Sequence, residues 1–340
     1  MRWSAKLSSA VFICCLIGGS FLSLTMGAMQ LPASESVFVV VDKITGSALN
    51  QLADYQQIVV LELRLPRLLL AMLVGAILAQ CGAVMQGLFR NPLADPGIIG
   101  VSSGAAVGAI LAITLLPDSI SSWAIPIAAF TAGLGTTLFV YVLARSQHGT
   151  SVLVLLLAGV AISAFAGATI GFISYFTDDQ DLRELSLWQM GSLATATPSQ
   201  LWLALATLCC LAIAFQRRAS ALNALLLGES EARHLGIAVE SLKLQLIILT
   251  AIGVGIAVAS SGIIGFIGLV VPQLIRAITG PNHHTLLPLS ALCGALLLLI
   301  ADLAARLVVQ PAELPVGLVT ALLGAPFFLV LLLQQRKQWA

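Results

Sequence analysis

The residue types that most often carry catalysis are poorly placed for it in this sequence. No GxxxxGK[ST] motif is present, so the chain lacks the usual glycine-rich loop that holds the phosphates of ATP. HExxH and GxSxG, which would indicate a zinc protease or a serine hydrolase, are also missing. The paired His283 and His284 are predicted to be solvated residues of a short cytoplasmic turn. We therefore expect no covalent chemistry from this chain, and no resident metal or cofactor.

The remaining candidate metal ligands support the same interpretation. All six cysteines fall inside apolar segments, and their spacing matches no metal knuckle, so they are interpreted as small hydrophobic residues. His148 and His234 are also predicted on the cytoplasmic side. Since no histidine lies within a predicted span, a histidine relay for a metal or haem through the membrane is not expected.

The composition is that of a membrane protein. Of 340 residues, 59% are hydrophobic and 9% are charged, whereas a soluble domain carries roughly 25% charged residues. The net charge of +1 argues against a nucleic-acid partner, because no basic surface is long enough to follow a phosphate backbone. We predict an all-α, polytopic protein embedded in the lipid bilayer.

Apolar runs predict about ten membrane spans. Their ranges are 7–29, 65–88, 94–116, 122–144, 151–175, 199–216, 242–260, 263–279, 286–305 and 316–334. The first run resembles a signal peptide, but its length favours an uncleaved helix. The distribution of Lys and Arg places both termini in the cytoplasm. Residues 30–62 are then an outer segment with room for a short surface helix, and the segment near 185–197 is predicted as a partial helix outside the membrane core.

The stretch from Leu63 to Ala105 organises the rest of the chain. Its apolar run ends at a polar, proline-punctuated break from Arg90 to Gly97, after which a second small-residue helix begins. A broken helix exists at membrane depth only where protein or a water-filled cavity satisfies the freed backbone groups. The break therefore indicates a pathway as well as an anchor.

Glycines recur near the small-xxx-small spacing that lets helix backbones approach closely. They are Gly75, Gly82, Gly87, Gly100, Gly104, Gly108, Gly159, Gly167 and Gly171. We predict close helix packing at these positions.

Three arginines are predicted at the outer interface, against the usual bias of basic residues to the cytoplasm. A charge at the bilayer centre costs more than about 2.5 kcal/mol, so Arg64 and Arg67 belong where the second span begins. Arg306 lies at the outer end of the ninth span, with Asp302 one helical turn before it. This (i, i+4) pair would contribute about 0.3–0.5 kcal/mol if it is exposed. Two interpretations are open: interface anchoring by snorkelling side chains, or a basic docking ring for an acidic partner outside, which we favour.

One sizeable amphipathic segment faces the cytoplasm. Residues 217–241 predict two short helices broken at Gly228. The pattern fits a helix on the lipid surface and a docking element for a cytoplasmic partner equally well.

Several motifs together resemble the FecCD family of ABC importer permeases, which carry ferric siderophores, haem or vitamin B12. The matching stretches are LRLPR at 63–67, GAVMQGLFRNPLADPGIIGVSSGAAVGA at 82–109, LLLAGVAIS at 155–163, WQMGSL at 188–193, LNALLLGESEARHLG at 222–236, SGIIGFIGLVVPQLIR at 261–276, LLPLSALCGALLLLIADLAAR at 286–306 and PAELPVGLVTALLGAPFF at 311–328. The likeness covers nearly the whole chain from Leu63. It implies one ten-helix permease domain over 1–340, of the type II, vitamin B12 importer-like kind, in a bacterial inner membrane.

The resemblance also implies partners and roles. The partners are a second copy of the chain, a cytoplasmic ATPase dimer and a periplasmic substrate-binding protein. Arg64, Arg67 and Arg306 resemble the arginines that meet glutamates of the binding protein. Residues 222–236 resemble the coupling helices that contact the ATPases, with the match at Leu225, Gly228, Glu229, Ala232, Arg233 and Gly236. Asn91 and Leu93 resemble one cytoplasmic gate, Val152 and Leu153 occupy a second, and the fifth span would line the central pathway.

The substrate is indicated only by how closely two stretches resemble family members that carry different substrates. GIIGVSSGAA and TDDQDLRELSLWQMGSLA are most similar to the haem-importing members, with a ferric siderophore or B12 as alternatives. Gln273 stands where family members often have histidine, and glutamine does not titrate near neutral pH. Two other classes are less compatible with the sequence. An ion-coupled secondary transporter would need a membrane-embedded acid, for which Asp302 is the nearest candidate, and an intramembrane enzyme would need a buried base, but no histidine lies in a predicted span.

Overall fold

A computed structural model describes residues 3–27, 29–47, 49–116, 123–147 and 149–339. Within them, seven helices are long and apolar enough to cross a membrane, and three shorter apolar helices cover Val101–Leu115, Ile267–Thr279 and Val316–Val330. Together they correspond to the ten predicted spans, so the all-α, polytopic prediction is confirmed. His148 lies outside the described residues.

Fourteen helices are described. They are α1 (Ala5–Thr25), α2 (Ala33–Thr45), α3 (Asp54–Phe89, with a π-helical stretch at Val59–Arg64), α4 (Val101–Leu115), α5 (Ala124–Ala144), α6 (Val152–Phe176), α7 (Asp179–Gln189), α8 (Pro198–Arg217), α9 (Ala219–Leu227), α10 (Glu229–His234), α11 (Val239–Ser261), α12 (Ile267–Thr279), α13 (His283–Leu307) and α14 (Val316–Trp339). A two-stranded antiparallel hairpin, β1 (Arg145–Ser146) and β2 (Gly149–Thr150), joins α5 to α6.

Helix α3 is the centre of the bundle. It packs against α13, α12, α11 and α8. Of the residues in its most apolar 18-residue stretch, 83% are buried. Glycine makes these contacts possible: a Cβ at Gly82 would lie 1.9 Å from the carbonyl oxygen of Gly268, and one at Gly75 would lie 2.3 Å from that of Gly294. Side chains at these positions would force the helices apart.

The predicted close packing is confirmed for most of the glycines but not for all. An added Cβ would collide with a neighbouring element at Gly75, Gly82, Gly87, Gly100, Gly104, Gly108 and Gly159. At Gly167 and Gly171, both on α6, it would meet nothing within 4 Å. Those two glycines lie on the open side of α6, of which only 17% of the apolar window is buried.

The break after the second span is present where the sequence predicts it. Arg90 ends α3 in the left-handed conformation with a φ of 48°. The Asp95 carboxylate accepts a hydrogen bond from the backbone of Gly97 and caps a 3₁₀ turn over Pro96–Ile99. The third span was predicted from residue 94, but its α-helix begins at Val101, because Gly100, at a φ of 87°, separates it from the turn.

The segment 30–62 packs into a smaller apolar cluster that it shares with α1, α3 and α13. The predicted short helix is α2, and Leu31, Val39 and Leu52 pack with Val60 of α3. Asp42 accepts hydrogen bonds from Ser47, Leu49 and Asn50, which fixes the loop after α2. Burial raises the pKa of this carboxyl, but the hydrogen bonds outweigh that effect and hold the pKa well below its usual range.

The predicted partial helix near 185–197 starts and ends earlier than expected. It is α7, whose first turn is capped by the Asp178 side chain, and it ends at Gln189. Gly191 follows with a φ of 70°, so the chain turns away before residue 197.

Candidate functional site

The outer arginines gather around one cavity, but they are buried and paired within the chain. The Arg67 guanidinium donates to Asp302 Oδ1 at 2.8 Å and to Glu313 Oε2 at 2.6 Å. Asp302 is fully buried. Arg67 therefore joins the start of the second span to the end of the ninth and to the loop that follows it.

The other two arginines hold the end of α1. Arg306 Nε lies 3.1 Å from Asp302 Oδ2, and its guanidinium also bonds to Ser23. Arg64 donates to the carbonyl oxygens of Leu24 and Thr25 at 2.7 and 2.9 Å, and also to that of Met29. Leu24 and Thr25 lie in the last turn of α1 and Met29 lies beyond it, where carbonyls have no intrahelical donor.

Burial changes the interpretation of this cluster. Asp302 and Arg306 form the predicted (i, i+4) pair, but the pair is buried and shared with Arg67, so the energy of an exposed pair does not apply. The three arginines do not snorkel into solvent, which was the alternative interpretation, since each is at most 8% exposed. They line an outward cavity of about 280 Å³ together with Leu63 and Glu313. A buried guanidinium needs carboxylate or carbonyl partners of this kind, because removing its charge from water is costly without them.

The segment 217–241 forms the two predicted short helices. Gly228, at a φ of 127°, separates α9 from α10. Leu225 and Ala232 are buried against the spans, so these two of the predicted coupling residues act as internal anchors. Leu226, Leu227 and Leu235 are exposed at 39, 69 and 64%. Gly228 and Glu229 are half-buried, whereas Arg233 and Gly236 are exposed.

His283 corrects a further prediction. It is the first residue of α13 and is fully buried, whereas we expected it in a solvated turn. Its backbone N–H and its Nδ1 lie 2.8 and 2.9 Å from Asn223 Oδ1 on α9. His284 is exposed as predicted and contacts Ser220. The histidine therefore fixes the first cytoplasmic helix to the ninth span.

The first predicted gate, Asn91 and Leu93, lies in the break after α3. Asn91 Oδ1 accepts a hydrogen bond from the Leu93 backbone at 2.9 Å, which folds the turn. Gln273 Nε2 donates to the carbonyl of Pro92 at 2.5 Å and to Gln86 Oε1 at 3.2 Å. Arg276 also donates to Gln86. Helix α12 thus holds the turn between the two gate residues.

Gln86 was missed by sequence reasoning, although a signal for it exists. Pro272 lies inside α12 and has no N–H, which frees the carbonyl of Gly268 four residues before it. Gln86 Nε2 donates to that carbonyl at 3.2 Å. Pro288 in α13 frees the carbonyl of His284 in the same way, and Gln216 donates to it at 3.1 Å. An internal proline in a span therefore calls for a side-chain donor nearby.

The second predicted gate, Val152 and Leu153, begins α6. Ser151 caps this helix through its side chain, directly after the β-hairpin. Leu153 is 65% exposed, and further along the same helix Phe165, Phe172 and Tyr175 are exposed at 72, 69 and 82%. The helix predicted to line the pathway is therefore the least buried of the seven long spans.

The model of the FecCD transport family matches residues 15–334 of this chain. The chain belongs to the FecCD transport family. Membership covers the whole bundle described above, including the arginine cluster, both cytoplasmic helices and both predicted gates. As a FecCD protein, the chain is a multi-pass ABC importer permease, and the resemblance seen in its motifs is confirmed.

Two curated relatives of this FecCD permease carry different substrate names. It is 51% identical over 281 residues to the hemin transport system permease protein HmuU of Yersinia pestis, covering 82% of this chain and 84% of the relative. It is 44% identical over 343 residues to the vitamin B12 import system permease protein BtuC of Salmonella paratyphi A, covering 99 and 96%. These relatives are transport permease subunits.

Solved structures agree with the fold of the FecCD permease. A metal-chelate type ABC transporter in an inward-facing conformation is 34% identical and superimposes with a TM-score of 0.84, over 97% of this chain and 100% of that one. PsaBC from Streptococcus pneumoniae in complex with Fab, at 15% identity, has a TM-score of 0.55 over 86% of this chain and 94% of that one. The second likeness concerns the fold alone.

Proposed function

We propose that the chain is the permease subunit of an ABC importer that moves haem across a bacterial inner membrane. The observation that carries the substrate is the 51% identity to the Yersinia hemin permease, against 44% to the B12 permease. The aliphatic and aromatic surface of α6 suits a large, largely apolar ligand. Vitamin B12 is the second candidate, favoured by the match to the B12 permease over 99% of this chain.

The proposed assembly contains two copies of the chain. They enclose a pathway between their α6 helices, and the whole of 1–340 acts as one permease domain with both termini in the cytoplasm and 30–62 in the periplasm. Two observations support this: α6 carries a long uncovered apolar face, and Gly167 and Gly171 lie open on it. Small residues at such positions allow a second helix to approach closely.

The proposed docking site for a periplasmic binding protein is the cavity of Arg64, Arg67 and Arg306. The Arg67–Glu313 ion pair supports this site, because the Glu313 side chain is 46% exposed. A carboxylate of the binding protein could replace Glu313 as the partner of the Arg67 guanidinium. The remaining bonds of the three arginines hold their positions and reduce the entropy lost when a partner binds.

The proposed ATPase contact is the pair α9 and α10. Residues 222–236 present Leu226, Leu227, Arg233 and Gly236 outward, while Leu225 and Ala232 anchor the pair to the spans. ATP binding and hydrolysis in the partner subunits then move these helices. The gates at Asn91–Leu93 and Val152–Leu153 open in response, in an alternating-access cycle.

An ion-coupled secondary transporter is the competing class. It would need a carboxylate free to bind and release an ion, and Asp302 was the nearest candidate. In the structure Asp302 is held between Arg67 and Arg306. This arrangement favours a structural role for Asp302.

The test is the ATPase activity of the complex reconstituted in nanodiscs with its ATPase and binding protein. The binding protein is added without ligand, or loaded with haem, ferrichrome or cyanocobalamin. We expect selective stimulation by the haem-loaded form. Selective stimulation by cyanocobalamin would assign the second candidate, and ligand uptake that persists without the ATPase would overturn the importer assignment.

The docking site is tested in the same system. Arg67→Gln is compared with Arg183→Gln, which removes an exposed outer arginine of α7. We expect weaker binding-protein association for Arg67→Gln alone, with dimer assembly checked by size-exclusion chromatography. Equal association for both variants would contradict the arginine docking site.

A further inference from the structure

The hairpin before α6 is fixed by two side chains of α11. Thr150 lies in β2, two residues before Val152. Its N–H donates to Glu240 Oε2 at 2.8 Å, and its carbonyl accepts from Lys243 Nζ at 3.0 Å. Both backbone hydrogen-bonding groups of Thr150 are therefore used by α11, and the start of the gate helix follows this attachment.

The same ammonium group reaches the second cytoplasmic helix. Lys243 Nζ lies 2.8 Å from the carboxylate of Glu229, the first residue of α10, and 3.2 Å from Glu240 Oε1. Arg233 of α10 adds longer contacts to Glu229 and Glu240 at 3.9 and 3.7 Å. One buried cation thus connects α10, α11 and the hairpin.

Burial of the Lys243 ammonium strengthens this connection. The Lys243 side chain is 3% exposed, whereas those of Glu229 and Glu240 are 31 and 39% exposed. An ammonium has three N–H donors, and here all three have an oxygen acceptor within hydrogen-bond distance. Charge-assisted hydrogen bonds are about twice as strong as neutral ones. A buried cation that loses one acceptor pays a desolvation penalty, so displacement of Glu229 is resisted unless Lys243 and Thr150 follow it.

Space for such a movement lies beside the connection. An open cytoplasmic cavity of about 550 Å³ is bordered by Arg145 and Gly149 of the hairpin and by Arg233 and Glu240. The hairpin therefore contacts α11 through a few polar groups and is not enclosed on that side.

We propose that Lys243 is a positioning residue of the transport cycle: it ties α10 to the hairpin so that displacement of α10 moves the gate at Val152 and Leu153. The inference rests on the proposed function, in which an ATPase moves the cytoplasmic helices. It assigns the transmission of that movement to Lys243, which belongs neither to the proposed gates nor to the proposed ATPase contact.

The experiment uses the complex in nanodiscs, and in proteoliposomes for transport. The variants are Lys243→Met, which keeps the length of the side chain without its charge, and Glu229→Gln, which weakens the same connection from the α10 side. The matched control is Lys6→Met, which removes an exposed cation in the first turn of α1, away from the segment 217–241. Trifluoromethylphenylalanine at Leu153 reports the gate by ¹⁹F NMR, since that side chain is exposed.

We expect ATP to shift the ¹⁹F signal in the wild type and in Lys6→Met. In Lys243→Met the shift is lost, and transport per ATP hydrolysed falls about tenfold while ATPase activity stays within about twofold of wild type. The double variant Lys243→Met/Glu229→Gln transports no worse than the weaker single variant, because both break one connection.

A normal ¹⁹F shift and normal coupling in Lys243→Met would overturn the inference. If Lys243→Met does not assemble, a normal shift in Glu229→Gln overturns it equally. A wild-type complex whose ATPase does not respond to the loaded binding protein would instead refute the proposed function, so the two failures are distinguishable.

Discussion

Gln273 donates a hydrogen bond to the carbonyl oxygen of Pro92 at 2.5 Å, across 181 positions of sequence. The bond ties the turn formed by Asn91, Pro92 and Leu93 to α12. The same amide nitrogen of Gln273 also donates to Gln86 Oε1. Because an amide does not titrate, Gln273 works as a hydrogen-bond donor at any pH in the physiological range.

Gln273→Leu should destabilise the permease and loosen the first gate. The half-buried Pro92 carbonyl loses its donor, and the cost should be at or below the about 1–3 kcal/mol of a fully buried unsatisfied group. Thermal unfolding in detergent measures the loss. Gln80→Leu is the matched control, because Gln80 is buried with an Oε1 that has no partner, so its replacement should leave stability unchanged or raise it. Equal destabilisation by both variants would contradict the role of the Gln273–Pro92 bond.

Glu313→Gln should strengthen binding-protein association several-fold if Arg67 is a docking residue. The neutral amide competes less well than a carboxylate for the guanidinium, and the difference should shrink at high salt because the site opens to solvent. Biolayer interferometry at low and high salt measures the change. Glu184→Gln removes an exposed outer acid away from the cavity and should have little effect. Weaker association of Glu313→Gln would argue that Glu313 helps to bind the partner.

Gly82→Ala should disrupt the bundle, and Gly167→Ala should not. A methyl group at Gly82 would overlap the Gly268 backbone, whereas at Gly167 nothing lies within 4 Å. Overpacking of this kind costs about 1–3 kcal/mol or more, because backbone cannot move aside as a side chain can. Yield of folded protein and thermal unfolding of the detergent-solubilised monomer report the difference. The prediction fails if both variants unfold at the same temperature.

The outer segment should lose stability in acid through Asp42. Its pKa in the folded state is held below the ordinary value by hydrogen bonds. The stabilisation is complete above the unfolded-state pKa of about 3.9 and decreases as the pH falls towards the folded-state pKa. Hydrogen exchange of residues 47–52 should therefore show more opening at pH 3 than at pH 5, after correction for intrinsic rates. Asp42→Asn should remove this pH dependence, and Asp54→Asn, at an exposed position, should retain it.

Local patterns were sufficient for the spans and for the interruptions between them. Apolar runs, the Arg90–Gly97 break and the amphipathic segment at 217–241 each depend on residues close in sequence, and each is present as predicted. Errors of a few residues arose at turns. The third span starts late because an Asp–Pro turn and a left-handed glycine precede it.

The sequence by itself determined that the chain is a membrane-embedded helical protein, because hydrophobic length imposes that architecture. That it is a permease followed from the resemblance of its motifs to the FecCD family. The sequence also located the three outer arginines. Only the tertiary structure decided what those arginines bond to, that His283 is buried and that Lys243 joins three elements. Partners such as Arg67 and Asp302 are 235 positions apart. Their pairing follows from how α3 packs on α13, and no local pattern records that contact.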